Sequence, residues 1–246
     1  MKIKTFLFLG SLFTMGCNSP DSWDIFKTTG HTQTITRKLD YFNSVVINEN
    51  VEFQILLQDT VSKVEISAGK NLLPKIRTSI KNGILQVTND NKYNFLRSYS
   101  RLIRLKIYAK DLIFIQAKTG KNIYIFASPY RDLSTLQIDL PQCSGDLYLQ
   151  LKARTLRVVA NESTCKILGV GNADSLYFTS GYSYGPADFS SFPIKYARVI
   201  QNGSNDIRLS VQDSLNVSIY GIGNVIYTGN PNVKSLLVGK GRLIKQ

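Results

Sequence analysis

Histidine is almost missing from this 246-residue chain, where His31 stands alone. A histidine pair, a histidine-rich metal centre and a histidine relay are therefore excluded. Glutamate occurs only 4 times and alanine 9 times, against 18 asparagines. Helix formers are scarce and turn formers plentiful, which argues against an α-rich fold. The three cysteines form no Cys-x-x-Cys pair and no Cys/His grouping, so no zinc pattern exists. After position 16 no apolar run approaches the roughly 18 residues of a membrane-spanning helix. Apolar residues nevertheless make up 43% of the chain. That rules out wholesale disorder, and a chain of this length buries a core without disulfides or metals.

The N-terminus reads as an address. Lys2 and Lys4 precede an apolar stretch from Phe6 to Phe13, then Thr14-Met15-Gly16-Cys17. A basic region, a short apolar region and a small residue before the cut make a secretory signal peptide. Gly16-Cys17 resembles a bacterial lipoprotein cleavage site of the loose Bacteroidetes style, with Thr14 where leucine is usual. The resemblance implies that Cys17 is acylated and becomes the first residue. Several acyl chains anchor firmly, because each buried CH₂ contributes about 0.8 kcal/mol. Residues 1–16 are thus read as signal peptide, 17–34 as a polar tether and 35–246 as the folded domain. Loss of Lys2 and Lys4 lowers the net charge from +13 to +11. Export argues against nucleic acid as the partner of that charge. It leaves phosphorylated lipid, acidic glycan, or a positive surface kept for solubility. Cys143 and Cys165 lie about one repeat apart, and a disulfide and two buried thiols both remain open.

From Ile35 onward the pattern is period two. Val51, Phe53, Ile55 and Leu57 alternate with Glu52, Gln54 and Leu56, and Leu105-Lys106-Ile107-Tyr108 continues the pattern. Such alternation predicts half-buried strands. Asn82-Gly83 predicts a tight hairpin, and Asn71-Leu72-Leu73-Pro74 a single helical turn. A longer period then appears. A polar residue, a hydroxyl residue and an apolar residue recur, the last at Leu136, Leu156, Leu176, Leu215 and Leu236, with Ala197 as the weaker intermediate. Turn clusters rich in glycine and asparagine precede Ile123, Leu147, Ile167, Phe189, Ile207, Val225 and Leu243. A period near twenty with two or three short strands is one coil of a parallel β-solenoid. Stacking coils buries their inward apolar residues as continuous ladders. Corner glycines and asparagines are expected to supply positive φ. The competing architecture is an antiparallel β-sandwich.

Several segments carry a family resemblance. They are Phe42-Asn43-Ser44-Val45-Val46-Ile47, Lys70-Asn71-Leu72-Leu73-Pro74-Lys75-Ile76, Asn82-Gly83-Ile84-Leu85 and Gly221-Ile222-Gly223-Asn224-Val225-Ile226-Tyr227-Thr228-Gly229-Asn230-Pro231. From about Leu39 to the end the chain resembles the bacterial envelope family described as "putative auto-transporter adhesin, head GIN domain". The resemblance implies a right-handed parallel β-helix on an exported, often lipidated protein. It implies no activity and no catalytic residue.

No residue set compels chemistry. Asp146 and Asp206 occupy equivalent corners about three coils, or roughly 14 Å, apart, too far for a working carboxylate pair. Corner aspartates are turn formers. The chain is read as a non-enzyme without cofactor or metal. Two aromatic segments are candidate ligand contacts. Tyr182 and Tyr184 lie in a Gly-Pro-rich stretch, where tyrosine can stack on sugar rings. Arg97, Tyr99, Arg101 and Arg104 form a basic-aromatic run suited to phosphate or carboxylate. Thr60, Ser175 and Ser214 sit in Asp-Ser/Thr-apolar triplets that resemble Bacteroidetes O-glycosylation acceptors. The expected protein is a lipid-anchored outer-membrane adhesin or glycan-binding module, at the cell surface or facing the periplasm. Its expected partners are the membrane and glycan, lipopolysaccharide or an envelope protein. The rival readings are a periplasmic accessory protein and a polysaccharide-cleaving enzyme.

Overall fold

A computed structural model describes residues 29–58, 61–91, 103–128 and 132–246. The strands are β1 (Thr32–Lys38), β2 (Ser44–Ile47), β3 (Glu52–Leu57), β4 (Lys63–Gly69), β5 (Ile76–Lys81), β6 (Ile84–Asn89), β7 (Arg104–Ala109), β8 (Phe114–Ala117) and β9 (Ile123–Ala127). Longer ones follow: β10 (Asp132–Pro141), β11 (Leu147–Asn161), β12 (Ile167–Gly181), β13 (Ala187–Asn202) and β14 (Ile207–Ile219). β15 (Val225–Thr228), β16 (Asn232–Leu237) and β17 (Leu243–Lys245) complete the chain.

The long strands bend in the middle. The first residues of β11 pair with β9 and the rest with β10, both parallel. Each coil therefore has two faces. One ladder runs β6-β2-β8-β10 and on through the second halves of β11 to β14 to β16. The other runs β7-β3-β9 and through the first halves of β11 to β14 to β15 and β17. This is the β-solenoid read from the repeat, and the parallel ladders exclude the sandwich. The start is different. β1 and β4 add antiparallel strands beside β7, and in the β5–β6 hairpin β6 lies parallel to β2 with β5 antiparallel beyond it. That hairpin turns on Asn82-Gly83, both at positive φ (51° and 73°), as a two-residue turn requires. Leu73–Lys75 forms the expected single helical turn.

The core follows the ladders. Leu136, Leu156, Leu176, Ala197 and Leu215 stack in one inward row. All five are buried, and a fully buried leucine contributes about 1.5–3 kcal/mol. Two positions of the sequence register shift. Val233, not Leu236, stacks on Leu215, and Leu236 faces outward. Ala187, not Phe189, stacks between Ile167 and Ile207. Beyond this position β13 bulges between Phe189 and Pro193, and Phe189 and Phe192 both lie in the core.

The corners correct another expectation. Within the solenoid, the corner glycines between successive coils are not at positive φ. The solenoid glycines that are, Gly171 and Gly229, lie where a coil bends from one face to the other. In the turns the left-handed positions are Gln142, Glu162 and Tyr182, at φ 51°, 50° and 51°. The corner glycines serve closeness instead. A Cβ on Gly145 would lie 1.9 Å from Lys121 O, and on Gly203 2.4 Å from Ser183 O. The coil below occupies the space a side chain would need. Asparagine and aspartate at the corners join successive coils by hydrogen bonds. Asn122 Oδ1 accepts from Asp146 N, and Asp146 Oδ1 from Lys166 N. Asp206 Oδ1 accepts from Asn224 N, and Asn224 Oδ1 from Arg242 N. Inside the turns Ser163 Oγ donates to Cys143 O and Ser183 Oγ to Ala160 O, at 2.7 Å each. Cys143 and Cys165 are free, buried thiols. The hydrogen bond with Cys143, and burial after it, push the Cys165 thiol far up, which favours its neutral form.

Candidate functional site

Outward residues of a solenoid face form rows across the coils, because every strand exposes alternate side chains. On the face that begins with β1, β4, β7, β3 and β9 the rows enclose a cleft of about 530 Å³. Glu65 on β4 lies opposite Lys106 on β7, which lies opposite Gln54 on β3, and Gln54 opposite Tyr124 on β9. Arg104 lies opposite Glu52 one step along. The walls are therefore charged on one side and aromatic on the other.

The charged wall is preorganised. Arg104 Nε meets Glu52 Oε1 at 2.8 Å. Lys63 Nζ meets Glu65 Oε1 at 2.7 Å, and Tyr108 OH donates to Glu65 Oε2 at 3.2 Å. The Lys63 hydrogen bond and charge hold the Glu65 carboxyl below the usual carboxylate range. Glu65 thus stays an acceptor for ligand hydroxyls and is not poised as a proton donor. The Lys63 ammonium also sits 4.2 Å from the centre of the Tyr108 ring, a cation–π contact that fixes both groups.

The aromatic wall is one ring backed by another. Tyr124 and Tyr148 stack with centroids 5.0 Å apart and planes 10° apart. Tyr124 lines the cleft and Tyr148 does not. Tyr148 therefore covers one face of Tyr124 and leaves the other toward the cavity. Asn122 Nδ2 holds the Tyr124 hydroxyl at 3.2 Å. The Tyr148 hydroxyl donates to Asp146 at 3.2 Å, and desolvation together with that carboxylate raises its pKa.

The candidates from sequence are dispersed. Arg104 is in the cleft. Arg97, Tyr99, Arg101, Thr60 and Cys17 lie outside the described residues. Tyr182 and Tyr184 are exposed at the turn between β12 and β13, separated from Arg104 by β3, β9 and β11 in the ladder. Ser175 and Ser214 lie half-buried within β12 and β14, in one outward row on the opposite face. The cleft residues Glu52, Glu65 and Tyr124, and Tyr148 stacked behind Tyr124, were missed. Alternation marks them as outward, but only the topology makes β7, β3 and β9 neighbours.

A parallel β-solenoid with a preorganised cleft on its outer face defines a class of repeat-built, all-β protein. The family model for "putative auto-transporter adhesin, head GIN domain" matches residues 41–231, and the chain belongs to that family. Three crystal structures share the fold at low identity. A "putative adhesin" from Bacteroides fragilis is 18% identical, with TM-score 0.77, over 88% of this chain and 97% of that one. A "putative adhesin" from Parabacteroides merdae is 18% identical, with TM-score 0.66, over 89% and 98%. A "putative lipid binding protein" from Parabacteroides distasonis is 17% identical, with TM-score 0.66, over 88% and 97%. No curated protein matches.

Proposed function

We propose that this chain is a lipid-anchored cell-envelope protein that binds glycan in the cleft without cleaving it. The carrying observation is the free face of Tyr124, fixed by Tyr148 and Asn122, opposite the Arg104–Glu52 and Lys63–Glu65 pairs. A sugar ring offers an apolar C–H face and a rim of hydroxyls. The tyrosine face takes the first; the ionised pairs take the second through charge-assisted hydrogen bonds. Membership of an adhesin-described family and the leader ending at Gly16-Cys17 support placement at the envelope. Both cleft carboxylates are engaged by cations, which suits binding rather than acid–base work.

The test is a glycan array followed by titration of the purified domain. Tyr124→Ala and Arg104→Ala are each expected to weaken the best ligand at least tenfold, about 1.4 kcal/mol. Tyr148→Ala should weaken it less, because it removes support and not contact. A domain that binds no glycan, or variants that bind as the wild type does, would overturn the reading. The anchor is checked in cells by fatty-acid labelling, which Cys17→Ala should abolish.

A further inference from the structure

The face opposite the cleft carries a second regularity. In register across the coils stand Gln137, Arg157, Tyr177, Arg198, Asn216 and Lys234. Arg157, Arg198 and Lys234 are exposed, and each is two rungs from the next. Rungs are about 4.8 Å apart, so the cations repeat about every 10 Å over roughly 19 Å. The rungs between them hold Tyr177 and Asn216, which are neutral.

The neighbouring row shows what this one lacks. There Lys195 Nζ meets Asp174 Oδ1 at 2.7 Å, and Asp213 lies close enough to act on Lys195 as well. The fold supplies its own carboxylates to that row. Among the described residues no ion pair engages Arg157, Arg198 or Lys234. Arg157 instead sits 5.2 Å from the Tyr177 ring centre, which props the guanidinium over the neutral rung. On the same face a row of hydroxyls, Thr155, Ser175, Tyr196 and Ser214, runs parallel to the cations.

We propose that this face binds a linear acidic polysaccharide with one anionic group per disaccharide, laid along the solenoid axis. A sugar ring in such a chain is about as long as one rung is high, so alternate rings bring a carboxylate to alternate rungs. Arginine forks suit that carboxylate. The hydroxyl row meets the intervening sugars. Nucleic acid, with charge packed far more densely along its axis, does not match the interval. The site is independent of the cleft.

The probe is a hyaluronan octasaccharide, compared by calorimetry with a polygalacturonate octamer, dextran and single-stranded DNA of equal length. Hyaluronan is expected to bind more tightly than polygalacturonate despite half its charge, and dextran not to bind. The double substitution Arg157→Gln with Arg198→Gln should weaken hyaluronan at least tenfold and flatten its salt dependence. These side chains are exposed, so thermal unfolding should hold. Tyr124→Ala should leave hyaluronan binding unchanged, which separates this site from the cleft. Equal affinity for polygalacturonate or DNA overturns the proposal. So does an unaffected double variant, or no binding of any acidic polymer.

Discussion

Replacing Gly185 by alanine will open the stack between β12 and β13 and lower stability by about 3 kcal/mol or more, the upper end of overpacking effects. The new Cβ would stand 1.8 Å from Cys165 O and 2.5 Å from Cys165 C. Neither is the end of a flexible side chain, so a coil must rise. Rising strains the hydrogen bonds on either side of the corner, Tyr184 N to Ser163 O at 2.7 Å and Ile167 N to Pro186 O at 2.9 Å. The backbone of Gly185 is not left-handed, so alanine meets no conformational penalty there. Only the close approach opposes it. The companion substitution is Tyr182→Gly, three residues earlier. Tyr182 is left-handed at φ 51° and 69% exposed. Glycine there removes a cost of roughly 1–2 kcal/mol and offsets it partly with chain entropy. Thermal unfolding by circular dichroism should show a fall of roughly 10 °C for Gly185→Ala and no fall for Tyr182→Gly. The reverse order would mean that corner glycine serves conformation and not contact.

Why some features were legible in sequence and others not follows from the range of the interactions. The solenoid was legible because each coil repeats the environment of the last, so one inward row writes itself every twenty residues. Asn82-Gly83 and Leu73-Pro74 were legible because their conformations are decided within a few residues. The role of the corner glycines was not, because positive φ and absence of a Cβ call for the same letter. Only the distance from Gly145 to Lys121 O tells them apart. The bulge in β13 also escaped, since Phe189 fits the apolar register two residues beyond Ala187, which holds the stacked position. The cleft was legible in parts. Glu52, Gln54, Lys106 and Tyr108 are outward by alternation, but the excursion through β4, β5 and β6 intervenes between β3 and β7. No local signal says that chain returns to pair where it left. The row of Arg157, Arg198 and Lys234 is hidden likewise, because coils of 21 and 18 residues blur its period.

Phe189→Ala should be the most damaging single truncation in the core, at about 3–5 kcal/mol. Phe189 is fully buried and meets Phe178 and Phe192 edge-on, each with centroids 5.8 Å apart. Such pairs add about 0.5–1.5 kcal/mol beyond burial. The ring owes its place to Gly169, whose missing Cβ would lie 2.6 Å from Phe189 Cδ1. The glycine and the phenylalanine are thus two halves of one packing solution, and their substitutions must couple. Gly169→Ala should destabilise the wild type, because the ring is hemmed by Phe178 and Phe192 and has little room to yield. In the Phe189→Ala background the same methyl enters the vacated space and should cost little or help. A double-mutant cycle by urea denaturation is expected to give a coupling of about 1–3 kcal/mol. Simple additivity would show that the core relaxes around the ring, and that the bulge in β13 is not held by this contact. Because neighbouring coils support each other only pairwise, loss at β12 and β13 should also appear as early exchange of the amides of those two strands, ahead of β3 and β9.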